Sequence, residues 1–337
     1  MVDLSFISRP QAYWYTHRVP WPWLPLEALF RGVAAVRRRA YRAGLLPSFA
    51  LGVPVVVVGN LTVGGTGKTP LVIAIVQALQ AAGFTPGVVT RGYGGHAKSW
   101  PQFVLPDSDP FAVGDEPVVI ARHTQCPVVA APDRVAAGRA LLAAKDCDVI
   151  VTDDGLQHYR LKRDVEIAVV DAARGFGNGH CLPAGPLREP VCRAQQVDFV
   201  VANGAPHAAG QSGMTLRGDT AVHCVEHGQR RPLPEFAAQP IHAVAGIGNP
   251  DRFFHQLEAA GLEIIRHAFA DHHVFLQEDI MFDDTLPVLM TEKDAVKCRA
   301  FAGDRHWYLP VRAQLDANFF PRLLDRIRAA TPTQHVS

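Results

Sequence analysis

The stretch VVVVGNLTVGGTGKTP, residues 55–70, decides the fold. Its first four residues, Val55 to Val58, are β-branched and apolar, which suits a strand covered on both faces in a parallel sheet. Gly64, Gly65 and Gly67 then let the backbone wrap closely and aim its N–H groups at phosphate oxygens. A helix is expected next: Pro70 fits a first turn, where no N–H is needed, and the helix dipole favours an anion there. In this order Lys68 reaches the terminal phosphates and Thr69 sets its hydroxyl on Mg²⁺. The pattern G-x-x-x-x-G-K-[ST] is broken at its first glycine, where Thr62 stands. Residues Thr62, Val63, Gly64, Gly65, Thr66, Gly67, Lys68 and Thr69 are nonetheless expected to cradle a nucleotide.

Such a loop calls for a carboxylate at the end of a second buried strand, to hold the metal. DVIVTDDGLQH (148–158) provides Asp153 and Asp154 just after the strand Val149–Thr152. Neighbouring side chains on extended backbone point to opposite sides, so one of the pair serves Mg²⁺ and the other orients a neighbour. Further apolar strands are expected near residues 54–58, 87–90, 128–130, 148–152, 167–170 and 199–202, with crossover helices at 70–82 and 134–145. The polar stretch 203–220 reads as a loop or domain edge. Beyond it IHAVAGIGNP and LPVLMTEKDAVK repeat the strand-then-helix pattern on a smaller scale. The expected fold is α/β: a P-loop NTPase-type, doubly wound, mostly parallel sheet, a second, smaller α/β lobe and an N-terminal amphipathic helix. The corresponding segments are 1–48, 49–222 and 223–337.

At 337 residues, 48% apolar and 19% charged, the chain has an ordinary globular composition. Its net charge of +1 is unevenly spread: residues 1–48 hold seven arginines against Asp3 and Glu27, a local +5, which leaves −4 on the rest. A catalytic body of that sign argues against nucleic-acid binding. Six cysteines without a C-x-x-C pair read as reduced thiols of a cytosolic protein. No apolar run is long enough to span a bilayer, and Pro20, Pro22, Pro25 and Glu27 interrupt any secretory signal.

The basic leader is also aromatic. From Pro25 onward Leu26, Leu29, Phe30, Val33 and Val36 recur at helical spacing, with Arg31, Arg37, Arg38, Arg39 and Arg42 between them. Upstream lie Trp14, Tyr15, Trp21 and Trp23, residue types that favour the water–lipid boundary. Such a segment suits the headgroup plane of an anionic membrane, and equally a helix packed on its own sheet.

Three loops carry more polar and glycine residues than connectors need: TRGYGG (90–95), GDEP (114–117) and GPLREP (185–190). Phosphoryl transfer requires cations around the moving group and a carboxylate beside the attacking hydroxyl, and these loops offer both. Taken in order, TVGGTGKTP, RGYGG, GDEP, TDDGLQH, GPLRE, GIGNP, DHH and TEKDAVK resemble the tetraacyldisaccharide 4′-kinases, from the leader to about residue 297. In that family the threonine at position 62 is the normal variant of the loop.

The resemblance implies ATP and Mg²⁺ as cofactors, an acylated disaccharide 1-phosphate as acceptor and its 4′-hydroxyl as nucleophile. It also implies a peripheral enzyme on the cytoplasmic face of the bacterial inner membrane; no protein partner is inferable. Lys68 and Thr69 would serve ATP and the metal, with Asp153 or Asp154. Asp115 would be the catalytic carboxylate, partnered by His272 of DHH, and Arg188 would stabilise the γ-phosphoryl oxygens. Glu116 and Glu189 would ligate the metal or its waters, and Arg91 would lie near the substrate. TEKDAVK departs from the guanine-selective N-K-x-D pattern and reads as a strand-to-helix corner of the second lobe. Burying one methylene is worth ~0.8 kcal/mol, so the acyl chains of such an acceptor stay in lipid and the enzyme must come to them. The two lobes suggest a cleft that closes over nucleotide and headgroup.

Overall fold

The structure, a computed structural model, describes residues 13–16 and 19–330. The part of the leader before residue 13, and Arg18, lie outside the described residues. The first helix, α1 (Trp23–Arg42), is followed by β1 (Val55–Gly59), the glycine-rich loop and α2 (Lys68–Ala81). Next come β2 (Pro86–Thr90), β3 (Gln102–Val104), α3 (Pro110–Val113), α4 (Asp115–Thr124), β4 (Val128–Ala130), α5 (Arg134–Ala144) and β5 (Val149–Thr152). After β6 (Val165–Asp171) a long connection leads to β7 (Phe199–Asn203) and β8 (Ser212–Arg217). The chain continues through β9 (Thr220–His223), β10 (Arg230–Pro232), β11 (Ile241–Ala245), α6 (Pro250–Ala259), β12 (Ile264–Ala268), β13 (Val288–Thr291), α7 (Glu292–Cys298) and β14 (His306–Leu309). It closes with β15 (Arg312–Leu315) and α8 (Phe319–Ala330).

The larger sheet has nine strands in the order β15-β8-β7-β6-β1-β5-β2-β4-β3. All neighbours are parallel except at the two edges, where β3 runs against β4 and β15 against β8. This is the doubly wound sheet the apolar strands require, since β1, β2 and β5 are buried along their whole length. β5 lies directly beside β1, with Val57 opposite Thr152, so the two site loops leave adjacent strands at the same edge. The six-stranded second sheet runs β10-β9-β14-β13-β11-β12 and has its own core around Phe236, Phe253, Phe254 and Leu289.

Two expectations need correction. The 203–220 stretch is not a mere loop, because β8 forms within it, parallel to β7. The segment 223–337 is not one lobe either. β15 returns to the larger sheet, and α8 buries Phe319, Leu323 and Ile327 in that sheet's core.

α1 docks in an unusual sense. Its buried residue is Glu27, whose carboxylate accepts from the backbone N–H of Cys181 (3.0 Å) and pairs with His180 Nδ1 (2.6 Å). Most of the apolar stripe faces outward, with Leu29 65%, Val33 61% and Val36 67% exposed, while Phe30 packs on the core. Trp14 does not join that stripe: it is buried, and its indole donates to the Pro183 carbonyl at 3.2 Å. Tyr15 stays partly exposed and lines a cavity described below. No described helix is long and apolar enough to cross a membrane. All six cysteines are free thiols.

Candidate active site

The glycine-rich loop joins β1 to α2, as its sequence requires. Gly67 takes a left-handed φ of 91° at the start of α2, and a Cβ there would strike the Asn203 side chain. Asn203, at the end of β7, donates to the Thr66 carbonyl at 3.0 Å and so braces the loop from below. Asn60 donates to the Gly64 carbonyl (3.1 Å) and accepts from Lys68 Nζ (3.2 Å).

Asp153 and Asp154 diverge, as neighbouring residues at a strand end must. Asp153 is fully buried and accepts from Thr69 Oγ1 at 3.2 Å through Oδ2, while its Oδ1 has no partner. Burial, reinforced by the charge of Glu116, pushes its carboxyl up to about 7 despite the opposing effect of Lys68. A buried, unpartnered carboxylate oxygen beside a threonine hydroxyl is an oxygen donor set suited to Mg²⁺, which binds through one or two carboxylates plus phosphate. Asp154 adopts a left-handed φ of 52° and faces the other way. It accepts both contacts of Arg188 Nη1 (2.9 and 3.1 Å) and lies 3.5 Å from Lys68 Nζ. Burial alone would raise its pKa, yet Lys68 and Arg188 hold it well below the carboxylate range. Glu189 is drawn elsewhere: it accepts from Gln157 (3.1 Å) and Tyr159, braces that loop, and lines neither cavity of the cleft. Its expected place at the metal is corrected accordingly.

The remaining chemistry comes from both lobes. Asp115 and Glu116 open α4, and both face α7 of the second lobe. Lys293 Nζ donates to Glu116 at 3.0 Å, and Lys297 Nζ lies 3.8 Å from Asp115 and 2.9 Å from the buried Asp294. His272 Nδ1 stands 3.5 Å from Asp115 Oδ2, and its ring packs on Tyr93. Burial opposes ionisation of Asp115, but Lys293, His272 and Lys297 together hold its carboxyl below the usual range. His272 shifts the opposite way: burial disfavours its charge, but the Asp115 hydrogen bond and the charges of Asp115 and Asp271 together raise it. His273 braces the same loop through Asp279 (3.0 Å) and stacks on Phe269.

Two cavities meet over the loop and share Lys68, Glu116 and Lys293 in their walls. One, of about 470 Å³, runs past Thr69 and Pro70 to an apolar end formed by Ile73, Leu216, Phe253, Leu309 and Val311. The other, of about 670 Å³, is lined by Gly64, Arg91, Asp154, Arg174, Arg188 and His272. The GIGNP loop lies across the junction, and a Cβ on Gly248 would overlap the Gly65 nitrogen.

A phosphate loop, a cation-lined chamber and an Asp–His pair thus share one cleft. A family model described as "LpxK: Tetraacyldisaccharide-1-P 4'-kinase" matches residues 19–328. The chain belongs to the tetraacyldisaccharide 4′-kinase family. A tetraacyldisaccharide 4′-kinase of Nitrosococcus oceani is 54% identical over 320 residues, covering 94% of each chain. That of Alkalilimnicola ehrlichii is 48% identical over 340 residues, covering 98% of each. Among solved structures, LpxK from Aquifex aeolicus in complex with ATP superposes with a TM-score of 0.77 at 25% identity, over 92% of this chain and 98% of that one. Members of the tetraacyldisaccharide 4′-kinase family are kinases, and this chain is one.

Of the site residues read from the sequence, Lys68, Thr69, Arg91, Glu116, Asp154, Arg188 and His272 line the two cavities. Asp115 and Asp153 are buried behind them, against His272 and Thr69, while Thr62 pairs with Leu187 and Glu189 stands apart. Sequence reasoning missed Lys293 and Lys297, because nothing in TEKDAVK says that its helix packs on α4. It also missed Tyr93 and Arg174. Arg174 carried a signal, an arginine in a glycine-rich loop just beyond a buried strand's carboxyl end.

Proposed function

We propose that the chain transfers the γ-phosphoryl group of ATP to the 4′-hydroxyl of a tetraacyldisaccharide 1-phosphate. The reaction would take place at the cytoplasmic face of the bacterial inner membrane. The observation that carries the reaction is the pairing of buried Asp115 with His272, which lines the larger cavity beside the phosphate loop, with lysines of the second lobe around the carboxylate. Asp115 would accept a hydrogen bond from the 4′-hydroxyl and take its proton as the O–P bond forms and ADP leaves. With its pKa held low, Asp115 orients the hydroxyl more than it activates it, which suffices for a loose phosphoryl-transfer transition state. His272, with Nδ1 3.5 Å from Asp115 Oδ2, keeps that carboxylate fixed. Lys68 and Arg188 would release Asp154 in part and turn to phosphate oxygens. Thr69, Asp153 and Glu116 are the residues that would hold Mg²⁺, whose charge neutralises the β- and γ-phosphate oxygens when bound. The apolar end of the smaller cavity suits the nucleobase, and Arg91, beside Tyr93, would meet the acceptor.

The membrane location is supported by α1. A helix that buries its glutamate on the protein and presents Leu29, Val33 and Val36 to the outside has the orientation of an interfacial anchor. The deciding experiment is phosphorylation of a tetraacyldisaccharide 1-phosphate in detergent micelles, with an Asp115→Ala variant and a no-acceptor control. Product from the wild type, nearly lost in the variant, is the expected result. ATP turnover independent of acceptor, with no lipid product, would refute the assignment.

A further inference from the structure

The cations of the cleft are not equally free. Lys68 and Arg188 share Asp154, Lys293 is held by Glu116, and Lys297 by Asp294. Among the described residues only Arg91 and Arg174 of the larger cavity's cations have no carboxylate within ion-pair distance. Arg91 sits over the Tyr93 ring, on the acceptor side. Arg174 is placed differently. Its Nη1 donates to the Gly248 carbonyl at 2.9 Å, its guanidinium lies 5.3 Å from the centre of the Tyr15 ring, and Nη1 stands 4.0 Å from where a Cβ on Gly64 would be. It thus leans on the phosphate loop itself, two residues past Thr62, where the terminal phosphate of a bound nucleotide is cradled.

We infer that, given the kinase activity proposed above, Arg174 is a catalytic residue: an arginine supplied by the same chain that binds the terminal phosphate of the nucleotide and stabilises its charge during transfer. Its bond to Gly248 is to a neutral carbonyl, and exchange for a phosphate oxygen gives the stronger, charge-assisted contact. Arg174 lines the cavity and has no carboxylate within ion-pair distance among the described residues, so no existing ion pair has to break first. Arg188, by contrast, must leave Asp154. Tyr15 holds the guanidinium plane from the outer side, which restricts its swing. Stabilisation of developing charge by a single such donor is worth about 10²- to 10³-fold in kcat.

The test uses the full-length protein with Arg174→Ala and Arg174→Lys, and Arg91→Ala for comparison. Calorimetry without acceptor compares ADP with a non-hydrolysable ATP analogue. Arg174→Ala should weaken the analogue at least about tenfold and leave ADP unchanged, with Arg174→Lys in between. In the micelle assay Arg174→Ala should lose about 10²-fold in kcat and keep its KM for the acceptor. Analogue and ADP weakened equally, or neither weakened, would overturn the inference. So would a loss confined to the acceptor's KM that vanishes with an acceptor lacking the 1-phosphate, because Arg174 would then hold that group. If Arg174→Ala does not fold by thermal melting, the same comparisons on Arg174→Lys decide. A wild type that binds the analogue but phosphorylates no lipid removes the kinase assignment instead, and the binding comparison still judges Arg174.

Discussion

Asp153 carries a buried oxygen without a hydrogen-bond partner, and its carboxyl sits at about 7. Its folded pKa is raised above the unfolded value, so the metal-free protein keeps an extra proton here and loses stability as pH rises toward 7. Metal binding needs the ionised form, and Mg²⁺ affinity of the nucleotide-free protein should therefore climb with pH through about 7 and then level. Titration calorimetry across that range checks this, and Asp153→Asn should flatten the curve. Lys297 tests the second lobe's part in the site. Replacing it by Met removes one of the charges that depress Asp115, so the acid limb of kcat/KM should move to higher pH. Because Asp294 then loses its buried partner, the variant should also be about 3–5 kcal/mol less stable, measurable by denaturant unfolding. An unmoved acid limb would show that Lys297 acts through stability alone. None of this was legible from TEKDAVK, because the carboxylate it serves is far away in the chain and only the packing of α7 on α4 joins them.

Among the elements, α1 separates two tasks along one helix. Its Leu26, Leu29, Val33 and Val36 periodicity was plain in the sequence, but periodicity does not say which way the face points. The buried Glu27 settles that, and a lone acid in an apolar–basic helix was the available clue. Leu29→Lys with Val33→Lys should leave the melting temperature within about 2 °C, since both sites are exposed, and should strongly reduce flotation with anionic vesicles. Glu27→Ala should do the reverse to the body of the protein and cost about 1–3 kcal/mol, as the Cys181 N–H and His180 lose their acceptor. The GIGNP loop is a second case. Gly248→Ala pushes a methyl group into the Gly65 backbone, so the loop must withdraw from the phosphate site. Raised KM for ATP with an unchanged fold by circular dichroism is the expected signature.

For the molecule as a whole, strands buried on both faces were readable because an unbroken apolar run admits few alternatives. β1, β2, β4, β5, β6 and β7 fall within a few residues of their expected places. β8 was not readable: it is short and half polar, and its outer half is exposed. It exists because β7 and β15 supply hydrogen-bond partners on either side, a fact of tertiary structure. That pairing has a further meaning. With Arg217 opposite Arg312, β8 and β15 are the two arms of an ordinary antiparallel hairpin, and the entire second sheet occupies the position of its turn. Gly218, one residue past Arg217, and Pro310, two residues before Arg312, lie against each other. An insertion whose ends meet side by side can be exchanged for a two-residue turn without re-routing the parent strand order. The second lobe is thus topologically a guest of the larger sheet, and it is this guest that brings His272, Lys293 and Lys297 up to Asp115 and Glu116 of the host.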